Sequence, residues 1–326
     1  MTTKPLALHK HGIQASRLVL GCMGLGGGAN QNPLTADDFK KAHEAVEAAL
    51  AVGINMFDHA NIYAMGKAEQ AFGQVLKERP ELRDRIILQS KCGIRRVEGP
   101  GRPGRYDFSE AHILESVDGI LSRLGVEALD ILLLHRPDPL MEPEEVASAF
   151  GKLKQAGKVR SFGVSNMSPS QIRLLSSCLD EPLVANQLEL NLAALDWVDA
   201  SVLVNQKAGA QVNFPEGLLE YCRLEHIQVQ SWSPLARGVF AGCNLDAQSE
   251  SIRQAAALVQ ELARQKEVST EAIVLAWLMR HPAGIQPVIG TTSPDRIRAC
   301  AKAERITLSR EEWYDLYVTS RGSKMP

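Results

Sequence analysis

Four side chains of the sequence, Asp58, Tyr63, Lys91 and His135, are of the types that move a proton to a carbonyl oxygen. A phenol with a pKa of about 10 is a weak acid at neutral pH, and a close ammonium lowers that pKa by stabilising the phenolate. A carboxylate keeps such a lysine charged in a closed site, and a histidine orients or protonates a carbonyl oxygen. If the fold brings these groups together, they form a proton donor beside a place for a carbonyl.

Each of these residues also has a structural interpretation. Asp58 is a residue type that caps turns, Tyr63 suits an exposed rim, and His135 follows a run of leucines and suits a buried core. Lys91 follows an apolar stretch, and a buried lysine needs a charged partner. Their joint occurrence after three consecutive predicted strands favours the catalytic interpretation.

The elements that position these residues are short apolar runs alternating with segments of helical period. Continuous runs of this kind are typical of parallel strands covered on both faces. The predicted strands are Arg17–Gly21, Ile54–Phe57, Arg85–Ser90, Leu129–Leu134, Val159–Val164, Leu183–Asn186, Gln228–Ser231 and Gln286–Ile289. Helix starts between them are predicted at Thr35, Ser109, Pro143, Ser168 with Gln171 and Ser293 with Pro294.

About eight strand–helix units favour a closed (β/α)8 TIM barrel over an open doubly wound sheet. Three pieces lie outside this repeat. They are a segment before Arg17, predicted as a hairpin that plugs the barrel bottom, an extra helix Ser251–Arg264 before the barrel helix Thr270–Arg280, and a terminal helix opened by Ser309–Glu312. We see no linker and expect a single domain over residues 1–326.

Composition excludes several classes of protein. The 326 residues carry 36 Lys+Arg against 38 Asp+Glu, so there is no basic footprint for a nucleic acid. No apolar stretch approaches the roughly 18 residues of a membrane span, and the start lacks the apolar core of a signal peptide. The 6 cysteines include no C-x-x-C pair, which is typical of a reducing cytoplasm. We therefore expect a cytoplasmic protein without a metal site.

The motifs at the predicted strand ends resemble the aldo/keto reductase superfamily, and within it a bacterial group of predicted oxidoreductases. The resemblance extends in order from Leu18 to about Arg305, with one motif per strand. The motifs are Phe57-Asp-His-Ala-Asn-Ile-Tyr63 with Glu69, Ser90-Lys-Cys-Gly93, Asp130-Ile-Leu-Leu-Leu-His-Arg-Pro-Asp138, Gly157-Lys-Val-Arg160, Gly163-Val-Ser-Asn166, Ser231-Trp-Ser-Pro-Leu235 and Pro287-Val-Ile-Gly290.

The resemblance implies an NADP(H)-dependent reductase that acts on small aldehydes, ketones or sugars. It makes Tyr63 the general acid, Lys91 and Asp58 the pair that tunes its pKa, and His135 the group that orients the carbonyl. The implied cofactor-binding residues are Gly21, Cys22, Met23 and Asp58, with Ser165, Asn166 and Gln187 at the nicotinamide carboxamide, Trp232 stacked on the ring, Ser233, Leu235, Arg237 and Gly238 around the pyrophosphate, and Gly290, Thr291, Thr292 and Arg296 at the 2′-phosphate. Gly290 stands where many relatives carry lysine.

Two local features have other interpretations. The glycine-rich run Gly24–Ala29 fits a loose dinucleotide fingerprint but leads into Asn30-Gln-Asn-Pro33 instead of a helix, so we interpret it as a rim loop. The loop Arg95–Arg105 is expected to be solvated and to overhang the site. The tail Val318–Pro326 corresponds to a segment that walls the pocket in relatives.

Other activities are weighed against the reductase. A metal-dependent hydrolase would need paired histidines at strand ends, and we expect His59 to be a turn residue and His112 a helix-surface residue. A Schiff-base lyase using Lys91 leaves Asp58 without a purpose. A cofactor-binding redox sensor or regulatory subunit with little turnover would carry the same residues. The sequence leaves the substrate and the oligomeric state open.

Overall fold

The structure is a computed structural model that describes residues 5–97 and 103–326. Within that part of the chain there are ten strands and eleven α-helices. The strands are β1 (Val19–Gly21), β2 (Met56–Asp58), β3 (Ile87–Cys92), β4 (Ile94–Arg95), β5 (Arg105–Tyr106), β6 (Leu129–Leu134), β7 (Val159–Ser165), β8 (Ala185–Glu189), β9 (Gln228–Trp232) and β10 (Gln286–Ile289). The α-helices are α1 (Ala36–Ala51), α2 (Lys67–Glu78), α3 (Glu110–Leu124), α4 (Pro143–Gln155), α5 (Pro169–Ser176), α6 (Asp196–Val202), α7 (Leu218–Leu224), α8 (Glu250–Gln265), α9 (Thr270–Arg280), α10 (Pro294–Ala301) and α11 (Arg310–Arg321).

Eight of the strands close into a parallel barrel in the order β1, β2, β3, β6, β7, β8, β9, β10. β1 closes the cylinder, because Leu20 pairs with Phe57 of β2 on one side and with Ile289 of β10 on the other. Helices follow the barrel strands and cover their outer faces with a continuous apolar core. The predicted (β/α)8 barrel is confirmed.

Several strands extend further toward their carboxyl ends than the apolar runs predict. β3 ends at Cys92 instead of Ser90, and β9 ends at Trp232. Polar residues remain in the ladder there, as when Lys91 pairs with Leu133 of β6. The side chains with chemical potential therefore project from rigid strands as well as from loops.

The helix starts follow the predicted caps with one exception. Thr35, Ser168 and Ser309 form capping boxes, and the Ser109 side chain accepts a hydrogen bond from the His112 N–H. Ser293 precedes Pro294 as predicted, but its side chain makes no cap hydrogen bond. The N–H groups of the first turn of α10 are therefore not capped by that side chain.

The amino-terminal segment fills the barrel bottom as a 3₁₀ helix, Ala7–His11, and not as the predicted hairpin. The helix ends at Gly12, whose φ of 77° is readily adopted by glycine, and the chain then continues toward β1. Leu6 and Leu8 are buried in an apolar cluster inside the barrel, and the Ala7 N–H donates to Gln228 Oε1 at 2.9 Å. The predicted plug is therefore present, with a different local structure.

The additional elements flank the barrel. The extra helix and the terminal helix are present as α8 and α11, which pack against each other. The ends of the predicted loop Arg95–Arg105 pair as the antiparallel strands β4 and β5, and its residues 98–102 lie outside the described residues. Among the described helices, none has the length and apolarity needed to cross a membrane.

Candidate active site

A cavity of about 720 Å³ opens at the carboxyl ends of the barrel strands. Loops after different strands contribute to its walls, as expected for this architecture. It is lined by Gly21, Met23, Asp58, Ile62, Tyr63, Ile94, His135, Arg136, Ser165, Asn166, Gln187, Trp232, Ser233, Pro234, Leu235, Arg237, Gly238, Val288, Gly290, Thr291 and Arg296.

At the base of this cavity, Lys91 joins Asp58 to Tyr63. The Lys91 ammonium donates to Asp58 Oδ2 at 2.6 Å, to the His59 carbonyl at 2.9 Å and to Tyr63 Oη at 3.0 Å. Lys91 is 0% exposed and Asp58 is 2% exposed. All three ammonium protons therefore have acceptors, and the buried positive charge has a carboxylate partner.

The loop after β2 holds Tyr63 over this pair. It continues the pairing with β3 beyond the strand, because the His59 N–H donates to the Gln89 carbonyl and the Asn61 N–H to the Lys91 carbonyl. The two residues after Tyr63, Ala64 and Met65, have φ values of 47° and 62°. Left-handed backbone at non-glycine residues is strained, and such strain concentrates at functional sites.

Burial and charge act against each other on the pKa values of this set. Burial raises the pKa of Tyr63, the Lys91 ammonium lowers it, and the net pKa lies above the ordinary value. Burial lowers the pKa of Lys91, but Asp58 and Tyr63 outweigh that effect and raise it. The expected lowering of the Tyr63 pKa is therefore wrong as a net effect, because the loss of hydration penalises the phenolate more than Lys91 stabilises it.

His135 faces Tyr63 across the cavity. The centroids of the two rings lie 5.9 Å apart, and the rings are nearly perpendicular. The backbone N–H of His135 donates to the Cys92 carbonyl at 2.9 Å. Burial, with Lys91 and Arg136, lowers the pKa of His135 to about 2. The imidazole is therefore neutral at physiological pH and retains one ring N–H.

Amide and indole groups form one wall of the cavity. Asn166 Nδ2 donates to Ser165 Oγ at 2.7 Å, and the Trp232 indole N–H donates to Asn166 Oδ1 at 3.1 Å. The Gln187 side chain donates its N–H groups to Asp58 Oδ1 and Gln230 Oε1. Its oxygen makes no hydrogen bond to any described residue and remains available as an acceptor.

The cavity lining also includes two arginines, Arg237 and Arg296, and a loop with left-handed backbone. Ala236, Arg237 and Gly238 all have positive φ, and so does Ser233 directly after β9. Arg237 forms no ion pair with a described residue, whereas Arg296 Nε lies 3.3 Å from Glu271 Oε1.

Three residues of the predicted site do not line the cavity: Cys22, Thr292 and Lys91, whose ammonium instead contacts the lining residues Asp58 and Tyr63. Cys22 is fully buried, and its thiol lies 3.6 Å from the Leu20 carbonyl. Thr292 is only partly buried and is likewise outside the lining. The lining ends at Arg296, so it includes no residue of the terminal segment Val318–Pro326.

Five lining residues escaped prediction: Ile62, Ile94, Arg136, Pro234 and Val288. Arg136 is the most informative, because its guanidinium lies 5.3 Å from the centroid of the Trp232 ring. Its position directly after His135 was the available signal. His112 was predicted wrongly as a helix-surface residue, since it is buried, whereas His59 lies in the loop after β2, in line with its prediction as a turn residue, and is buried there. His59 contacts the Phe72 ring, and His112 contacts the Ser116 hydroxyl.

Comparison with known proteins defines the class of this barrel. The family model described as "Aldo/keto reductase family" matches residues 17–317. The chain therefore belongs to the aldo/keto reductase family, and it is an oxidoreductase of that family. The predicted family is confirmed.

Similar proteins include enzymes of bacteria. The 6-dehydroglucose reductase of Agrobacterium fabrum is 35% identical over 317 residues, which cover 96% of this chain and 97% of that protein. The uncharacterised oxidoreductase YcsN of Bacillus subtilis is 39% identical over 285 residues, which cover 86% and 88% of the two chains. Among solved structures, an aldo/keto reductase from Klebsiella pneumoniae in complex with NADP and acetate has a TM-score of 0.70 and 25% identity, covering 93% of this chain and 90% of that chain.

Proposed function

We propose that this protein reduces the carbonyl group of a small aldehyde, ketone or sugar with NADPH, and that Tyr63 donates the proton. The observation that carries the proposal is the buried Lys91 ammonium, which contacts both Asp58 Oδ2 and Tyr63 Oη. The Klebsiella relative that contains NADP supports the choice of cofactor.

The donor set of the cavity fits a nicotinamide dinucleotide. The Asn166 amide, the Ser165 hydroxyl and the free Gln187 oxygen suit a carboxamide, and the Trp232 indole offers a stacking face. Arg237 and Arg296, which also line the cavity, supply positive charge for phosphates. When bound, NADPH supplies the hydride that no protein side chain can provide.

The side chains would act as follows. Tyr63 keeps its proton at neutral pH, because burial raises its pKa, and passes that proton to the substrate oxygen. The Lys91 ammonium stabilises the phenolate that remains, and Asp58 holds Lys91 in place. The neutral His135 imidazole orients the carbonyl oxygen toward Tyr63 through its ring N–H.

A polar substrate suits this cavity. Arg136 lies beside Trp232 and forms no ion pair with any described residue, so its N–H groups are available to oxygen atoms of a substrate. The relative from Agrobacterium fabrum is named for a sugar that carries a carbonyl group. We therefore place hydroxylated aldehydes and sugars first among the candidate substrates.

The direct test is a screen of NADPH oxidation over aldehydes, ketones and sugars, repeated with NADH. We expect many turnovers per protein molecule and a preference for NADPH. A single turnover would instead support the redox-sensor alternative, which no observation here favours. A protein that consumes no NADPH with any carbonyl compound would contradict the proposal.

A further inference from the structure

Four buried glutamines lie in one connected layer inside the barrel. They are Gln89 of β3, Gln187 of β8, Gln230 of β9 and Gln286 of β10, each at most 2% exposed. The strand registers align them, since Gln230 pairs with both Gln187 and Gln286, and Gln89 pairs with Asp58. Barrel interiors are usually filled by branched apolar side chains, so this layer calls for an explanation.

The hydrogen bonds of this layer follow one direction. Gln286 Nε2 donates to the Ser16 carbonyl at 2.7 Å, which leaves Gln286 Oε1 to accept from Gln230 Nε2 at 3.0 Å. Gln230 Oε1 then accepts from Gln89 Nε2 at 2.9 Å and from Gln187 Nε2 at 3.1 Å. A backbone carbonyl can only accept a hydrogen bond. The Ser16 carbonyl therefore fixes the orientation of the side-chain amides of all four glutamines.

This series of hydrogen bonds ends at the carboxylate of Asp58. Gln89 Nε2 donates to Asp58 Oδ1 at 2.6 Å, and Gln187 Nε2 donates to the same oxygen at 3.2 Å. Gln89 Oε1 is buried without a partner among the described residues, which is a stability cost of this orientation. The opposite orientation would place the Gln89 oxygen against the carboxylate. Every contact of Asp58 in this layer is therefore with a donor, as an ionised carboxylate requires.

We infer that Gln89, Gln230 and Gln286 are positioning residues, which orient the Asp58 carboxylate so that Lys91 stays charged and directed at Tyr63. The inference rests on the proposed role of Tyr63. None of the three glutamines lines the cavity, so they act through Asp58 and do not touch the substrate.

The other titratable groups around this set stay neutral or paired at moderate pH. Burial lowers the pKa of His59 to about 3 and that of His135 to about 2, and burial raises the pKa of the Cys22 thiol. Glu69 behind Lys91 is paired with Arg123 at 2.7 Å. A change in alkaline pH dependence therefore reports on Tyr63 and Lys91.

The chain offers a matched control for this layer. Gln228 lies on the same strand as Gln230 and is equally buried, but its side chain bonds to the carbonyls of Val229 and Gly284 and to the Ala7 N–H. It has no hydrogen bond to Asp58 or to the four-glutamine layer. Methionine has a similar volume and removes both the donor and the acceptor of the amide.

The experiment compares Gln89→Met, Gln286→Met and Gln228→Met with the wild type. The readouts are the pH dependence of alcohol oxidation with NADP⁺, which needs deprotonated Tyr63, and the affinity for NADPH by fluorescence. For Gln89→Met, kcat of reduction should fall about tenfold, and the alkaline midpoint of oxidation should rise by about one pH unit, because one charge-assisted hydrogen bond is lost. Gln286→Met should show a smaller shift in the same direction, and Gln228→Met none, with NADPH affinity unchanged in all three.

Other outcomes separate this inference from the proposed function. A wild-type protein without carbonyl reduction would contradict the function alone. The Tyr63 pKa would then be read directly by ¹³C NMR of labelled tyrosine, with Tyr63→Phe assigning the signal, and a higher pKa in Gln89→Met would still support the inference. The inference would be overturned if Gln228→Met shifted the alkaline midpoint or the Tyr63 pKa as much as Gln89→Met does. It would also be overturned if neither Gln89→Met nor Gln286→Met shifted them. If Gln89→Met does not fold, Gln286→Met decides.

Discussion

The Lys91 ammonium lies 3.0 Å from the Tyr63 hydroxyl, and no part of the Lys91 side chain is exposed to solvent. A charge in that position interacts strongly with the phenol because little water screens it. The Lys91 ammonium also contacts the Asp58 carboxylate at 2.6 Å, which compensates its buried charge. Tyr63, Lys91 and Asp58 therefore form one unit, and we expect replacement of any one of them to impair the function of the other two.

Tyr63→Phe removes the proposed proton donor and leaves the ring in place. We expect carbonyl reduction to fall by about 100-fold or more, the usual contribution of a general acid. NADPH should still quench the fluorescence of Trp232, because the cavity wall is unchanged. Steady-state NADPH oxidation and a fluorescence titration measure the two effects. Retention of wild-type kcat would refute the assignment of Tyr63.

The Asp58–Lys91 pair can be tested by a double-mutant cycle. Lys91→Met leaves the Asp58 charge buried and unpaired, and Asp58→Asn does the same to Lys91, so each should reduce the free energy of unfolding by about 3–5 kcal/mol. In the double variant neither charge remains, and the loss should be clearly smaller than the sum. Urea unfolding of the four proteins measures the coupling. Additive losses would mean that the two charges do not depend on each other.

Stability should depend on pH through His59. Burial lowers the pKa of His59 in the folded protein to about 3, below its value of about 6.5 in the unfolded chain. The unfolded state therefore binds the proton first, and this group alone lowers stability by about 1.4 kcal/mol per pH unit between pH ~6.5 and its folded pKa of about 3. In His59→Phe, the loss of unfolding free energy between pH 7 and pH 5 should be smaller by about 2 kcal/mol.

Urea unfolding at the two pH values measures this difference. Parallel pH dependences for His59→Phe and the wild type would contradict the prediction.

Two helix glycines should respond in opposite ways to alanine. A Cβ at Gly73 of α2 would lie 2.3 Å from the Arg123 carbonyl oxygen of α3, so Gly73→Ala must push the two helices apart. We expect a loss of about 1–3 kcal/mol in unfolding free energy, despite the better helix propensity of alanine. Gly151 of α4 has open space at the same position, and Gly151→Ala should stabilise by up to about 1 kcal/mol. Thermal and urea unfolding of both variants check the contrast.

Replacement of Arg136 should weaken binding of the substrate and leave binding of the cofactor unchanged. For Arg136→Leu we expect KM to rise about tenfold for a hydroxylated aldehyde and little for an apolar aldehyde of similar size, because one charge-assisted hydrogen bond is lost. Arg237→Leu, which removes another cation of the cavity lining, should instead raise KM for NADPH. Steady-state kinetics with the paired aldehydes and with varied NADPH separate the two. Equal effects of Arg136→Leu on both aldehydes would argue against its contact with the substrate.

The barrel could be predicted from the sequence because its strands are continuous apolar runs of the right length between capped helices. The residues Asp58, Lys91 and His135 could be predicted to meet because they end neighbouring strands of one cylinder. The pKa values of the site residues could not be derived from the sequence in the same way. The net pKa of Tyr63 depends on how completely the loop after β2 buries the phenol, which no local pattern encodes.

The glutamine layer was not predictable for a similar reason. Gln89 resembles any polar residue near a strand end, and its partner Gln230 is 141 positions away in the sequence. His112 follows the acidic residue Glu110 at the start of α3 and so suggests a surface position, although the helix buries it against its neighbours. Long-range packing decides both cases, and local sequence carries no signal of it.

The plug at the barrel bottom has a consequence for synthesis. Ala7 finds its hydrogen-bond partner Gln228 only across 221 positions of sequence. In the nascent chain, Leu6 and Leu8 therefore stay without their packing partners on β8 and β10 until most of the cylinder has left the ribosome. During that interval these two leucines are not yet buried by those strands, and closure of the cylinder is what removes them from water.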